Sequence, residues 1–420
     1  MSQITADEFQ WSKLPRFLFK ALSSYWLATA VLVFMTIVTL FGTLYQVDHG
    51  LFAAKQRFFH SWIITYKLGG NLPIPILPGG LLLMTLLTLN LVIGAILKVK
   101  KRARGIGMLI AHFGMIFLLV SGFVTFAFNR EGYMALYEGQ TGARVESYRK
   151  WQIEILPLDD KGEASKALTI PYHDIETIDE GEQRVFLSND LPFDVVLSGY
   201  VKNAIPMPVG APMAAQATGR EIDGYKLLVQ PPSKEAEQNQ PAVIATFRPK
   251  EGGGEPVETF LSARSANFDP REGAMAFGFE IGGKRYAARM VKENWPVPFT
   301  VRLDKFIFER HPGVSMARNY ESRVSRIENG EERPLEIKMN QPMRYGGFTF
   351  FQESFGPLNA RPGDAMYSQF AVHNNPADQW PLYSLLVTTA GLLVHFCIKL
   401  FEHLMRPRKA PTVSGVSAEA

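Results

Sequence analysis

Residues 104–128 read RGIGMLIAHFGMIFLLVSGFVTFAF, an apolar run with one ionisable side chain inside it, His112. Few folds can accommodate such a run. Roughly 20 apolar residues in helical form span a bilayer, so the stretch predicts a transmembrane helix. Lys98, Lys100, Lys101, Arg102 and Arg104 stand directly before it, and such clusters stay on the cytoplasmic side. His112 then lies roughly 8–12 Å deep, at about 1.5 Å per residue. An ionisable group at that depth is costly and points to function. Neutral imidazole is a haem and metal ligand; a hydrogen bond to a neighbouring helix is the other reading, and the residues alone leave both open.

Three further runs share this character. Residues 25–45 are too long for a signal-peptide core and lack a small-x-small cleavage pattern, so they predict an uncleaved first span. Lys13, Arg16 and Lys20 place the segment 1–24 in the cytoplasm. Residues 79–97 predict a second span, in which Asn90 is expected to hydrogen-bond across helices. Residues 381–401 predict the fourth. Lys399, Arg406, Arg408 and Lys409 put the tail 402–420 inside as well. Region 25–128 thus holds three spans, an outer loop at 46–78 and the basic cytoplasmic loop 98–104. In the outer loop, LFAAKQRFFHSWII gathers its apolar residues on one face and predicts an interfacial helix carrying His60, with His49 just before it. The prolines of NLPIPILPGG then exclude regular helix. Gly107, Ala111 and Gly114 offer a close-packing surface on the third span.

Residues 129–380 are of mixed polarity and, after three crossings, fall outside. WQIEILPL, PFDVVLSGYV, YKLLVQP, AVIATFRP and FTVRLDKFIF read as short strands bounded by turn residues. Gly282-Gly283 and Asn329-Gly330 mark two hairpins. The fold class is therefore an α-helical membrane protein with four transmembrane helices plus a large, mostly β extracytoplasmic domain. His173, His311 and His373 are isolated in sequence, and EGGGE at 251–255 lacks the context of a phosphate loop. A formal charge of +4 over 420 residues, with basic residues beside apolar runs, does not suggest nucleic acid. The single cysteine, Cys397, allows no intrachain disulfide, so thiol chemistry would belong to another protein. No self-contained catalytic site is visible.

Four pieces now described carry a family resemblance. They are FGTLYQVDHG after the first span, LTLNLVIGAILKVKK ending the second, AHFGMIFLLVSG in the third, and NQPMRYGGFTFFQESF followed by NNPADQWPLYSLLVTTAGLLVHF. Together they resemble the ResB (CcsB) family of type II cytochrome c biogenesis membrane proteins, nearly end to end and least in the middle of the outer domain. The resemblance implies a bacterial inner-membrane protein with its large domain in the periplasm. It implies work with a ResC/CcsA-type partner in haem export and covalent haem attachment to apocytochrome c, with a thioredoxin-like reductant supplying electrons. It carries the family's membrane histidine onto His112, as an axial ligand of a haem b shared with the partner subunit. His395, the second histidine within a membrane run, is the alternative ligand. The six tryptophans are scattered, unlike the partner family's tryptophan-rich segment, so the chain resembles the ResB half alone.

Two other classes compete. One is a haem-free scaffold or apocytochrome-binding membrane protein of the same assembly system. The other is a membrane quinone or cytochrome b enzyme with His112 and His395 as axial ligands, although di-haem cytochromes b use more membrane histidines than these. In the first reading the contribution to ligation is positioning of haem and thiols.

Overall fold

The computed structural model describes residues 14–67, 73–98, 103–159, 161, 166–179, 181–250, 254–263, 276–311, 317–357 and 365–405. Residues 1–13, Lys100, Lys101 and Arg102 of the basic loop, most of EGGGE and the tail after Met405 lie outside them. The described helices are α1 (Leu14–Leu22), α2 (Tyr25–Ala54), α3 (Gly80–Asn90), α4 (Ile106–Phe128), α5 (Tyr172–Glu176) and α6 (Trp380–Leu404). The chain forms two compact units: Met1–Asn129 with Asn375–Ala420, and Arg130–Asn374.

Among the described residues of the helical unit, four segments are long and apolar enough to cross a membrane: Tyr25–Phe59, Gly80–Leu97, Ile106–Phe128 and Trp380–Leu404. Their outer surfaces expose large apolar side chains such as Leu32, Phe41, Phe113, Phe123, Leu393 and Phe396, a surface that water does not favour. The chain breaks between α1 and α2, where Ser24 caps α2 by accepting from the Trp26 amide. Asn90 docks on this break. Its Nδ2 donates to the carbonyls of Leu22 (2.7 Å) and Ser24 (3.0 Å), the cross-helix role expected of it. Lys98 adds a bond from Nζ to Ser23 Oγ at 3.1 Å.

Loop 46–78 differs from its expected form in two ways. First, α2 continues past Tyr45 to Gly50, whose φ of 81° suits glycine and kinks the helix. The chain then folds back through a π-helical turn at Lys55–Phe59. Phe58 is buried, and the Phe59 ring lies over Gly42, 3.0 Å from where a Cβ would stand. Second, the residues after His60 are not helical. Strand β1 (Ile63–Lys67) pairs antiparallel with β2 (Pro73–Pro78). The prolines exclude helix but not an edge strand, and Ile63, Ile64 and Thr65 have the β-branched shape that strands prefer.

The β unit contains β3 (Arg130–Tyr137), β4 (Thr141–Pro157), β5 (Leu168–Ile170), β6 (Gln183–Phe186), β7 (Phe193–Val201), β8 (Ala204–Pro208), β9 (Thr218–Ile222), β10 (Tyr225–Val229), β11 (Ala242–Pro249), β12 (Val257–Ser262), β13 (Phe277–Ile281), β14 (Lys284–Arg310), β15 (Ala317–Glu328), β16 (Glu331–Lys338), β17 (Met343–Tyr345), β18 (Phe348–Gly356) and β19 (Tyr367–Asn374). The largest sheet runs β16-β15-β14-β4-β3-β19-β18-β17, with β13 on β14 and β5 on β4. A four-stranded sheet runs β12-β11-β7-β6 and a three-stranded one β8-β10-β9.

Two cores share the long strands β4 and β14. Ile153, Ile155, Ala288 and Met290 pack with Phe193, Leu197 and Phe247 in the first. Val145, Val301 and Leu303 pack with Phe350 and Phe370 in the second. Both expected hairpins are present, with positive φ at Gly282, Gly283, Asn329 and Gly330, as two-residue turns of this type require.

Candidate functional site

The third and fourth candidate spans, α4 and α6, pack through small residues. A Cβ at Gly107 would lie 2.3 Å from the His395 amide nitrogen, and one at Gly114 would lie 2.7 Å from the Thr388 nitrogen. From the other side, a Cβ at Gly391 would lie 2.4 Å from the Ala111 nitrogen. Small residues let helix backbones approach this closely, and the seam leaves no room for a porphyrin between the two helices.

His112 follows Ala111 on α4 and is about 100° around the helix from it. Its ring is half-buried. Nδ1 lies 2.7 Å from the Met108 carbonyl oxygen. A carbonyl only accepts, so Nδ1 is the donor in this bond, and in the neutral ring Nε2 keeps its lone pair. Fixing one ring nitrogen by a backbone bond so that the other can ligate is how proteins present a histidine to a metal. His112 therefore fits an axial-ligand role on a face outside the α4–α6 seam.

His395 is held differently. Its backbone is wedged against Gly107, and its Nδ1 is buried with no hydrogen-bond partner among the described residues. The structure brings both histidines to one helix pair at different levels, since His395 stands across from Gly107 and Ala111 stands across from Gly391. Of the other histidines in the helical unit, His49 stacks on Tyr45 with centroids 3.8 Å apart, and His60 meets Phe126 edge-on at 4.8 Å. Among the described residues, no group of three or more His, Cys, Asp or Glu side chains could hold a metal ion. Cys397 is exposed and lines a cavity of about 730 Å³ with Arg104, Ile398, Phe401, Glu402 and Met405.

In the β unit, a polar cluster lies where the two cores meet. Pairing jumps from Lys292↔Trp151 to Asn294↔Glu146, so β4 bulges through 147–150. Lys292 closes the bulge, donating from Nζ to the Tyr148 carbonyl and sitting 4.1 Å from the Trp151 ring centroid. Burial pulls its ammonium down to about 8, against the opposing charges of Glu146 and Glu237. Tyr133 donates to Glu146 at 2.8 Å, and Tyr148 donates to Glu353 at 2.9 Å. Burial, then these carboxylates, raise both phenols. Sequence reading missed this cluster, because its members are brought together by a bulge that no local pattern announces.

Residues 280–363, from the end of β13 through the second hairpin to β18, match the ResB-like family. Over this stretch the chain is similar to the ResB-like family. A relative, Protein NrfI of Wolinella succinogenes, is 37% identical over 62 residues, which is 14% of this chain and 7% of that protein. The matched residues include Lys292 and the second hairpin. His112 and His395 lie outside them.

Proposed function

We propose that this ResB-like chain is a membrane subunit of the cytochrome c biogenesis machinery. It acts with a ResC/CcsA-type partner in haem export and in covalent attachment of haem to apocytochrome c. The match of residues 280–363 to the ResB-like family supports the biogenesis role. The observation that carries the haem role is the His112 tautomer, in which a lone pair on Nε2 is held ready on a helix long enough to cross a membrane. Bound haem would supply an iron seeking axial ligands and vinyl groups that accept cysteine thiols. The chain's own contribution is to hold and orient it, with the second ligand on the partner. In this reading all four apolar helices span the bacterial inner membrane, both termini are cytoplasmic, and Arg130–Asn374 is periplasmic. A thioredoxin-like protein supplies reducing equivalents.

Absorption spectra of the chain purified with and without its partner test the reading. A haem spectrum that requires the pair supports it; a haem-free pair contradicts it. Reporter fusions after Lys98 and after Asn329 test the topology, with cytoplasmic and external signals expected in that order.

A scaffold reading has one observation in its favour. Strand β6 ends the four-stranded sheet and exposes Val185, with Leu187 just beyond it. Such an edge can pair with an extended chain, as an unfolded apocytochrome would offer. Crosslinks from an apocytochrome peptide to β6, formed without haem, would favour it.

A further inference from the structure

We infer that the tip of the β15–β16 hairpin, together with β17, is a binding site for a small carboxylate. Arg326 lies opposite Val301 on the core-facing side of β15, two residues after buried Val324, and is 9% exposed. Its guanidinium lies 3.4 Å from the Tyr345 ring centroid. Its Nε is buried without a hydrogen-bond partner, and among the described residues no carboxylate lies within ion-pair distance of it. A buried, unpaired cation is costly, and a well-placed anion relieves the cost.

A second cation faces the same place. Arg333 on β16 is the register partner of Arg326, and like charges directly opposite on a sheet repel. Glu331 holds Arg333 at 3.4 Å, but both side chains are well exposed, so this ion pair is weak and displaceable. Tyr345 donates to Glu328 at 2.7 Å. These five residues and Asn329, at the tight Asn329-Gly330 turn, line a cavity of about 330 Å³.

The chemistry of the lining selects the ligand. Two guanidiniums suit the two oxygens of a carboxylate. Glu328, Glu331 and Asn329 offer acceptors for a hydroxyl or ammonium on the same molecule, and their charge disfavours a dianion. At about 30 Å³ of liquid volume per water, the cavity holds roughly ten waters, room for a small organic acid. The site accordingly takes a small hydroxy- or amino-carboxylate, with Arg326 as floor, Arg333 as second arm and Tyr345 as side wall.

Glycolate is a suitable probe, titrated into the full-length chain in detergent with tyrosine ring signals followed by NMR. Chloride at equal ionic strength is the control. Glycolate should shift the Tyr345 signal saturably and chloride should not. Losing one charge-assisted arm in Arg333→Gln should weaken binding about tenfold. Freeing that arm in Glu331→Gln should tighten binding roughly threefold or more, by removing an internal competitor. A Tyr345 shift that chloride reproduces, or equal glycolate affinity in wild type and Arg333→Gln, would overturn the assignment. Both exposed substitutions spare the core, so the test does not rest on Arg326 variants that fail to fold.

Discussion

Gly107 of α4 and His395 of α6 meet backbone to backbone, with 2.3 Å between the place a Cβ would occupy and the His395 nitrogen. Neither helix can yield locally, because Ala111 and Gly391 are in the same close contact one turn away. Gly107→Val should therefore force the pair apart, at a cost of roughly 1–3 kcal/mol or more. Thermal unfolding in detergent should show a clear loss. Gly122→Ala on the same helix, where nothing lies within 4 Å, should show almost none. Equal behaviour of the two variants would mean that the seam does not hold the helices together.

Asn90 ties α3 to the break between α1 and α2 through two carbonyls, those of Leu22 and Ser24. Asn90→Leu keeps the approximate volume and removes both donors. A loss of about 0.6–2 kcal/mol is expected, the range for polar contacts between membrane helices. Limited proteolysis near Ser23 and Ser24 should accelerate in the variant. An unchanged cleavage rate would show that Lys98 alone secures the break.

Lys292 makes the β unit sensitive to alkaline pH, with a definite sign. Its folded pKa is pulled down to about 8 by burial, from an ordinary 10.5. Between those values the unfolded chain binds the proton that the folded chain has released, so stability rises with pH. Above pH 10 the buried phenols Tyr133 and Tyr148, raised in the folded state, act oppositely, because only the unfolded chain ionises them at their ordinary value. Urea unfolding from about pH 7.5 to about pH 9.5 should show increasing stability in the wild type and a flat profile in Lys292→Met. The same rise in both would assign it to another group.

Much of this architecture can be read from the chain, and the limits of that reading are physical. The four apolar runs, the packing stripe Gly107–Ala111–Gly114, the Asn90 contact and both glycine-bearing hairpins are local patterns, and each is found where the residues place it. The hairpin β1–β2 escaped because Trp62 and Ile63 also continue a helical apolar face, and only the partner strand at Pro73–Pro78 decides between the two. The division of the β unit into two cores escaped because β4 and β14 pass through both without any break in composition. At His112 the residue type and its place within an apolar helix were legible. The Met108 bond that fixes its tautomer was not, since a backbone acceptor four residues back is common to every helical histidine.

Everything proposed for haem rests on the Nε2 of His112. The most direct measurement is the haem content and absorption spectrum of the complex with its partner, purified as wild type, His112→Ala and His395→Ala. His112→Ala should lose most of the haem, and added imidazole should restore part of it by filling the vacated position, while His395→Ala should retain haem and spectrum. Full haem occupancy with an unchanged spectrum in the His112→Ala complex would contradict the account and leave His112 a helix residue bonded to Met108.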